Sequence, residues 1–321
     1  MVKIRFLVIL TCLIGGGCAN TRPPCNATLN LNHTINHQQL LSDLRTLSAA
    51  EMQGRKPTTE GSRLAQDYIT SRFQQAGLET FAGTYRSHFK FRKGGSQIGT
   101  NLIGYKRGEE KPDEYIVLTA HYDHLGKKGR VIYYGADDNA SGVSAILAIA
   151  DYLKDKKTKH SVIFLATDAE EYGLFGSKAF VKNPPVQLSQ IKLNLNFDMI
   201  GQGGASKLLY VAGTKKNPQL KPVVRQLQQS TSVCLQIGHE VRKKLRGTIM
   251  GGLDWQKASD HAPFSEKDIP YLYFGVDLHR HYHQQTDTFE SIDQGFYMAT
   301  TETLLDAFKR IDGQLQELLT Q

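Results

Sequence analysis

The sequence predicts an α/β domain: a mostly parallel central sheet with helices on both faces. Three observations lead there. Apolar strand-like runs such as "EYIVLTA", "SVIFLA" and "KLNLNF" read as strands buried on both sides. Runs with helical spacing lie between them, notably "SGVSAILAIADYLKDK" and "FYMATTETLLDAFKRIDGQLQELL". Strands alternating with helices pack as a covered parallel sheet. The third observation is that these strand runs end in acids and histidines, where open α/β sheets bind their ligands.

From the start of the chain, residues 1–18 have the layout of a signal peptide: a short basic start, an apolar run and then small residues. That run is too short to span a bilayer comfortably. "LIGGGC" resembles a lipobox with Cys18 as the lipidated residue, although Gly15 stands where Leu is more usual. The expectation is an exported lipoprotein. Ala19 is not the Asp that retains such proteins at the inner membrane, so the anchor would sit in the outer membrane and face the periplasm. Simple secretion is the alternative.

Residues 19–36 are polar and read as a tether, with Asn26 and Asn32 in N-x-Thr sequons. One domain then covers 37–321. "HQQLLSDLRTL" and "GSRLAQDYITSRFQQAGL" have helical spacing, with Gly77 as a C-terminal stop. "GTNLIGYKRG", "EYIVLTAHYD", "SVIFLATD", "KLNLNFDMIG" and "IPYLYFGVD" follow as strands. The 321 residues are 40% hydrophobic and 22% charged, enough for a sizeable core.

The formal charge of +8 implies a solvated basic surface with some preference for anionic partners. Its clusters, "KDKKTKH" and "VRKKLR", come without a nucleic-acid-binding signature, so nucleic acid is not an expected partner. Four cysteines occur. Beyond Cys12 and Cys18, Cys25 and Cys234 remain, either as one disulfide or as two free thiols. No CxxC or Cys/His spacing is present, so a metal would have to be held by His and carboxylate.

Five segments supply such groups. His121, Tyr122, Asp123 and His124 follow one strand run; Glu170 and Glu171 follow a second; Asp198 follows a third. The turn "GADDNASG" carries Asp137 and Asp138, and the loop "HRHYHQQTDTFE" carries His279, His281, Tyr282 and His283. Adjacent glutamates repel, and a divalent cation would relieve that repulsion. Consecutive residues leaving a strand point in different directions, so one Glu can bind the ion while its neighbour faces a bound water.

"AHYDHLG", "GADDNASGV", "AEEYGLFGS", "NFDMIG", "SDHAPF" and "YHQQTDT" together resemble the characteristic segments of the M28 family of zinc peptidases, over nearly the whole chain after the tether. The resemblance implies a catalytic domain with two zinc ions. His121 and Asp198 would bind one ion, Glu171 and His283 the other, and Asp138 would bridge them. Glu170 would be the general base, and Tyr282 a donor to the oxyanion. Asp123 would orient His121 by a hydrogen bond. The implied reaction is release of the first residue of a peptide by hydroxide shared between the zincs. Carboxypeptidase or dipeptidase action, one-zinc glutaminyl cyclisation and non-catalytic binding are the rivals, and oligomeric state is left open.

The neighbouring residues are expected to be structural. His124, His279 and His281 fall on no family ligand position and read as solvated loop histidines. Asp137 reads as a loop residue, Asp260 and His261 as supporting, and Asp287 with Glu290 as a helix capping box. Met250, Leu253 and Trp255 suit either an apolar substrate pocket or packing.

Overall fold

The computed structural model describes residues 29–240 and 255–320. Its strands are β1 (Arg86–Arg92), β2 (Ser96–Lys106), β3 (Lys111–His121), β4 (Gly126–Lys128), β5 (Val131–Tyr133), β6 (His160–Thr167), β7 (Ile191–Phe197), β8 (Leu208–Ala212), β9 (Cys234–Ile237) and β10 (Tyr271–Gly275). Its helices are α1 (His37–Leu47), α2 (Glu60–Gln75), α3 (Gly142–Leu153), α4 (Phe175–Lys182), α5 (Lys221–Ser230), α6 (His261–Ser265) and α7 (Gln294–Leu319).

Eight strands form one sheet in the order β1-β2-β6-β3-β7-β10-β8-β9, and β4 pairs with β5 in a separate hairpin. The central strands β6, β3, β7 and β10 run parallel. Antiparallel pairings bring in β1, β2 and β8 on either side, while β9 runs parallel to β8. The expected parallel sheet is therefore its centre, and the margins are mixed.

Alternation along the central strands divides the core. Ile116 and Leu118 of β3 join Ile146 of α3, Phe73 of α2, Leu44 of α1 and Phe308 of α7 on one face. Val117, between them, joins Phe180 of α4 and Phe264 of α6 on the other. A period of two is what a sheet covered on both faces requires. All eight residues of β6 are buried, which explains why its sequence is nearly unbroken in apolar character.

Helix ends follow local rules. Asn36 caps α1 by accepting from the Gln39 amide. The α2 helix closes at Gly77, whose φ of +70° suits the left-handed position; Gly77 N bonds Gln74 O at 3.0 Å and Leu78 N bonds Phe73 O at 3.0 Å. The expected capping box at Asp287 is not formed. Instead Asp293 caps α7 by accepting from Phe296 N at 3.1 Å, and Asp287 is turned into the interior.

Residues 29–36, read as tether, lie on the body of the domain. Ile35 is buried, and the Asn32 and Thr34 amides and His37 Nε2 all converge on the buried Glu302 of α7, at 2.8, 3.2 and 2.9 Å. Polar composition concealed this, because the attachment runs through backbone amides. Cys234 is buried and disulfide-bonded, which removes the free-thiol alternative for it; its partner lies outside the described residues. The Glu302→Ala variant should lose about 1–3 kcal/mol of stability by stranding two amides. It should also be cut faster within 29–36 in limited proteolysis; unchanged cleavage would show that the segment is held elsewhere.

Candidate metal centre

Because the four central strands are parallel, their carboxyl ends meet along one edge of the sheet. His121 stands in register with Thr167, and Phe197 with Phe274. His121 ends β3, with Asp123 and His124 just beyond; Glu170 and Glu171 follow β6; Asp198 follows β7. The turn carrying Asp137 and Asp138 leads into α3, and the loop after β10 brings His279, Tyr282 and His283.

Asp138 is the centre of the arrangement. Its Oδ1 lies 3.3 Å from His121 Nε2, which in turn lies 3.3 Å from Asp198 Oδ1. Its Oδ2 lies 3.1 Å from His283 Nε2, which is 3.2 Å from Glu171 Oε2. One carboxylate thus faces two donor sets with its two oxygens. Donors held about 2.0–2.1 Å from a tetrahedral zinc are separated from one another by about 3.3 Å. The donor spacing fits such ions, as does the donor chemistry of imidazole and carboxylate. His121, Asp138 and Asp198 form one converging group, and His124, Asp138 and Glu171 a second.

His124 is the clearest departure from expectation. It is fully buried, not solvated, and its Nδ1 lies 2.8 Å from Glu171 Oε1 and 3.7 Å from Asp138 Oδ2. His279 is also inside, with Nε2 2.9 Å from Asp137 Oδ2. His281 alone keeps to its own loop, bonded to Thr286 at 2.9 Å.

Asp123 departs in another way. Its carboxylate is 3.7 Å from His121 Nδ1, too far for the expected bond, and that nitrogen faces the Asp123 carbonyl oxygen at 3.1 Å. The carboxylate instead accepts from the amides of Glu170 and Glu171 at 3.0 and 3.3 Å. This fixes the backbone of the paired glutamates while leaving both of their side chains free to face the crevice.

Burial raises the Glu170 pKa well above the carboxylate range; Asp198, Asp260 and Glu171 raise it further, against the pull of His121. Asp138 is held well below that range despite burial, by bonding to His121 and His283. Burial alone would lower the pKa of His121, but Glu170 and Asp198 keep it well above its ordinary value. Burial raises the Tyr282 pKa, as do Asp138 and Glu171, and its ring stacks on His283 with centroids 3.8 Å apart. That hydroxyl stays protonated and can donate.

A frame of residues that spacing did not reveal holds these loops. Arg55, fully buried, donates to the carbonyls of Tyr122, Leu47, Tyr134 and Gly135 at 2.6–2.8 Å. It ties the loop after β3 to the turn before α3. Asp287 accepts from the amides of Asp137 and Asp138 at 3.0 and 3.1 Å. Asn139 donates to Phe197 O at 2.9 Å and accepts from Met199 N at 3.2 Å, locking the Asp138 turn to the end of β7.

The "SDH" segment is bonded into the walls of the crevice. Ser259 accepts from Asn196 Nδ2 at 2.8 Å, Asp260 accepts from Thr167 Oγ1, and His261 Nε2 meets the Trp255 carbonyl at 2.7 Å. Trp255 packs against Tyr273 and His239, centroids 5.1 and 4.1 Å away. Met250 and Leu253 lie outside the described residues.

Fold and site together define an α/β domain with a His/carboxylate metal crevice at the carboxyl edge of its sheet. Residues 101–308 match the family model "Peptidase family M28", and the chain belongs to that family. It is 28% identical to Aminopeptidase YwaD of Bacillus subtilis over 207 residues, covering 62% of this chain and 42% of the relative. It is 29% identical to Leupeptin-inactivating enzyme 1 of Streptomyces exfoliatus over 243 residues, 74% of this chain and 48% of that one. The chain spans about half, or less, of the length of such curated relatives.

Among solved structures, a zinc aminopeptidase from Bacillus subtilis superposes with a TM-score of 0.66 at 17% identity, over 86% of this chain and 95% of that one. Porphyromonas gingivalis glutaminyl cyclase superposes with a TM-score of 0.70 at 21% identity, over 86% and 99%. These likenesses establish the shared α/β fold.

Replacing Arg55 by Met should cost at least about 3 kcal/mol, because it leaves several buried carbonyls without a donor. Arg55→Lys should recover part of that loss. Denaturant unfolding of the two variants checks both; a loss under 1 kcal/mol for Met would mean the carbonyls find other donors.

Proposed function

We propose that the chain is a zinc-dependent exopeptidase, an aminopeptidase that hydrolyses the amino-terminal bond of peptides at a two-metal centre. The single observation that carries the reading is the Asp138 carboxylate, which offers one oxygen to His121 and the other to His283. His121 and Asp198 with Asp138 would hold one ion, and Glu171 and His283 with Asp138 the other. When bound, the ions would polarise the scissile carbonyl and make water acidic enough to supply hydroxide at neutral pH.

Glu170 is then the general base. It lies near enough to His121 and Asp198, donors of the first ion, for their charges to act on it, and its amide is anchored on Asp123. It takes the proton of the attacking water and delivers it to the leaving amine. Tyr282 donates its hydroxyl to the oxyanion that develops on the carbonyl. The convergence of His121 and Asp198 on Asp138 favours hydrolysis over a one-metal cyclase, since a single ion would leave that pair without a task.

The export reading rests on residues 1–28, outside the described residues; among the described ones no helix is long and apolar enough to cross a membrane. Mass analysis of the mature amino terminus tests it: a diacylglyceryl group on Cys18 supports the outer-membrane lipoprotein, an unmodified terminus beyond Cys18 supports secretion, and an intact terminus at Met1 overturns both.

Purified protein reconstituted with zinc should release the first residue from peptides with a free amino terminus and spare those whose amino group is blocked. Cleavage of blocked peptides would replace the aminopeptidase reading by a carboxypeptidase-like one. Glu170→Ala should lower kcat by about 10²–10⁴-fold while both ions stay bound. Asp138→Ala should lose metal as well as turnover. Metal analysis of the two variants separates the roles, and equal metal loss in both would contradict them.

A further inference from the structure

Beyond the five ligands of the proposed centre, a third imidazole points into it. His124 is fully buried, yet neither ring nitrogen has a hydrogen-bond partner. Glu171 Oε1, 2.8 Å from His124 Nδ1, equally has no partner by hydrogen-bond geometry. Two buried polar atoms this close and yet unbonded are the arrangement expected of two ligands sharing an ion.

The surroundings hold the ring in that position. Gly135, at φ +60°, lies against it: a Cβ there would come within 2.6 Å of His124 Cγ and Cδ2. The Gly135 carbonyl is itself held by Arg55 at 2.8 Å. The rings of His124 and His283 meet edge-on with centroids 5.8 Å apart, so both imidazoles address the same two carboxylates, Asp138 and Glu171.

We propose that His124, through Nδ1, is a protein ligand of the second ion together with His283, Glu171 and Asp138. This rests on the metallopeptidase reading of the site but not on its having two ions. The two positions then differ in kind: one has a single imidazole, from His121, and the other has two. The second therefore favours zinc, cobalt, nickel or copper over magnesium or manganese more strongly than the first, and fills first. It also keeps a rigid ligand when His283 moves, since His283 is 34% exposed on a loop while His124 is fully buried beside β3.

The test uses the full chain with ¹⁵N-labelled histidine, loaded with ¹¹³Cd. Scalar coupling identifies each imidazole nitrogen bound to cadmium, and the number of ¹¹³Cd resonances reports separately how many ions bind. Coupling from the Nδ1 of His124, together with Nε2 couplings of His121 and His283, is the expected result. Two ¹¹³Cd resonances with only two coupled imidazoles would overturn the His124 assignment while leaving the two-metal centre intact. One resonance coupled to His124 would support the assignment and remove the second ion from the proposed function. No cadmium bound at all would overturn both.

In chelator competition, H124Q should weaken one ion by more than ~100-fold and leave the other within a few-fold, beyond the ~10–100-fold that loss of a partner outside the coordination sphere costs. A change below ~10-fold would also overturn the proposal.

Discussion

Everything at the carboxyl edge of the sheet depends on how a protein can bring so many carboxylates together. Parallel strands end side by side, so residues just past β3, β6 and β7 must share one crevice. Two unit charges 4 Å apart interact by about 4 kcal/mol at an effective dielectric constant of ~20. The structure divides the acids into two groups. Asp123, Asp137 and Asp287 each accept from backbone amides, of Glu170, Gly201 and Asp137 respectively, and so meet fixed dipoles. Asp138, Asp198 and Glu171 face the crevice and lie against the imidazole nitrogens of His121 and His283, at the separations of ligands around an ion. The first group holds the backbone, and the second leaves carboxylate oxygens converging where they could hold a cation.

The use made of Arg55 follows from the same constraint. A buried guanidinium beside a crevice of acids would be expected to pair with one of them. It donates to four carbonyls instead, and burial lowers its pKa to about 10 against the opposing pull of Asp287 and Asp138. A salt bridge to a ligand carboxylate would have competed with an ion for the same lone pairs. Bonded to neutral carbonyls, Arg55 fixes the geometry of two loops and contributes positive potential without occupying a ligand oxygen.

Much of this was legible in the sequence, for physical reasons that differ by residue. The central strands could be read because burial on both faces leaves an apolar run, and α2 because Gly77 has the left-handed conformation that ends a helix. Convergence of His121, Asp138, Glu171, Asp198 and His283 could be read because each follows a recognisable strand, turn or motif. What remained hidden depends on contacts distant in sequence. Asp287 looks like a cap from its spacing to Glu290, but its partners are the amides of Asp137 and Asp138. Residues 29–36 look like tether because main-chain bonding to Glu302 leaves no trace in side-chain composition. His124 and His279 look solvated because a loop histidine carries no local sign of which way it turns.

The crevice is also asymmetric in the exposure of its donors. His121 and Asp138 are buried on or next to the regular elements of the sheet edge, whereas His283 is 34% exposed and sits with Tyr282 on the loop after β10. The crevice is therefore most open at His283, on whose ring Tyr282 stacks. If His124 binds the second ion as proposed, that ion has one fully buried imidazole beside the exposed one of His283. The sheet edge thus supplies the buried donors and the loop the exposed one, a division in which a rigid scaffold positions groups carried on loops.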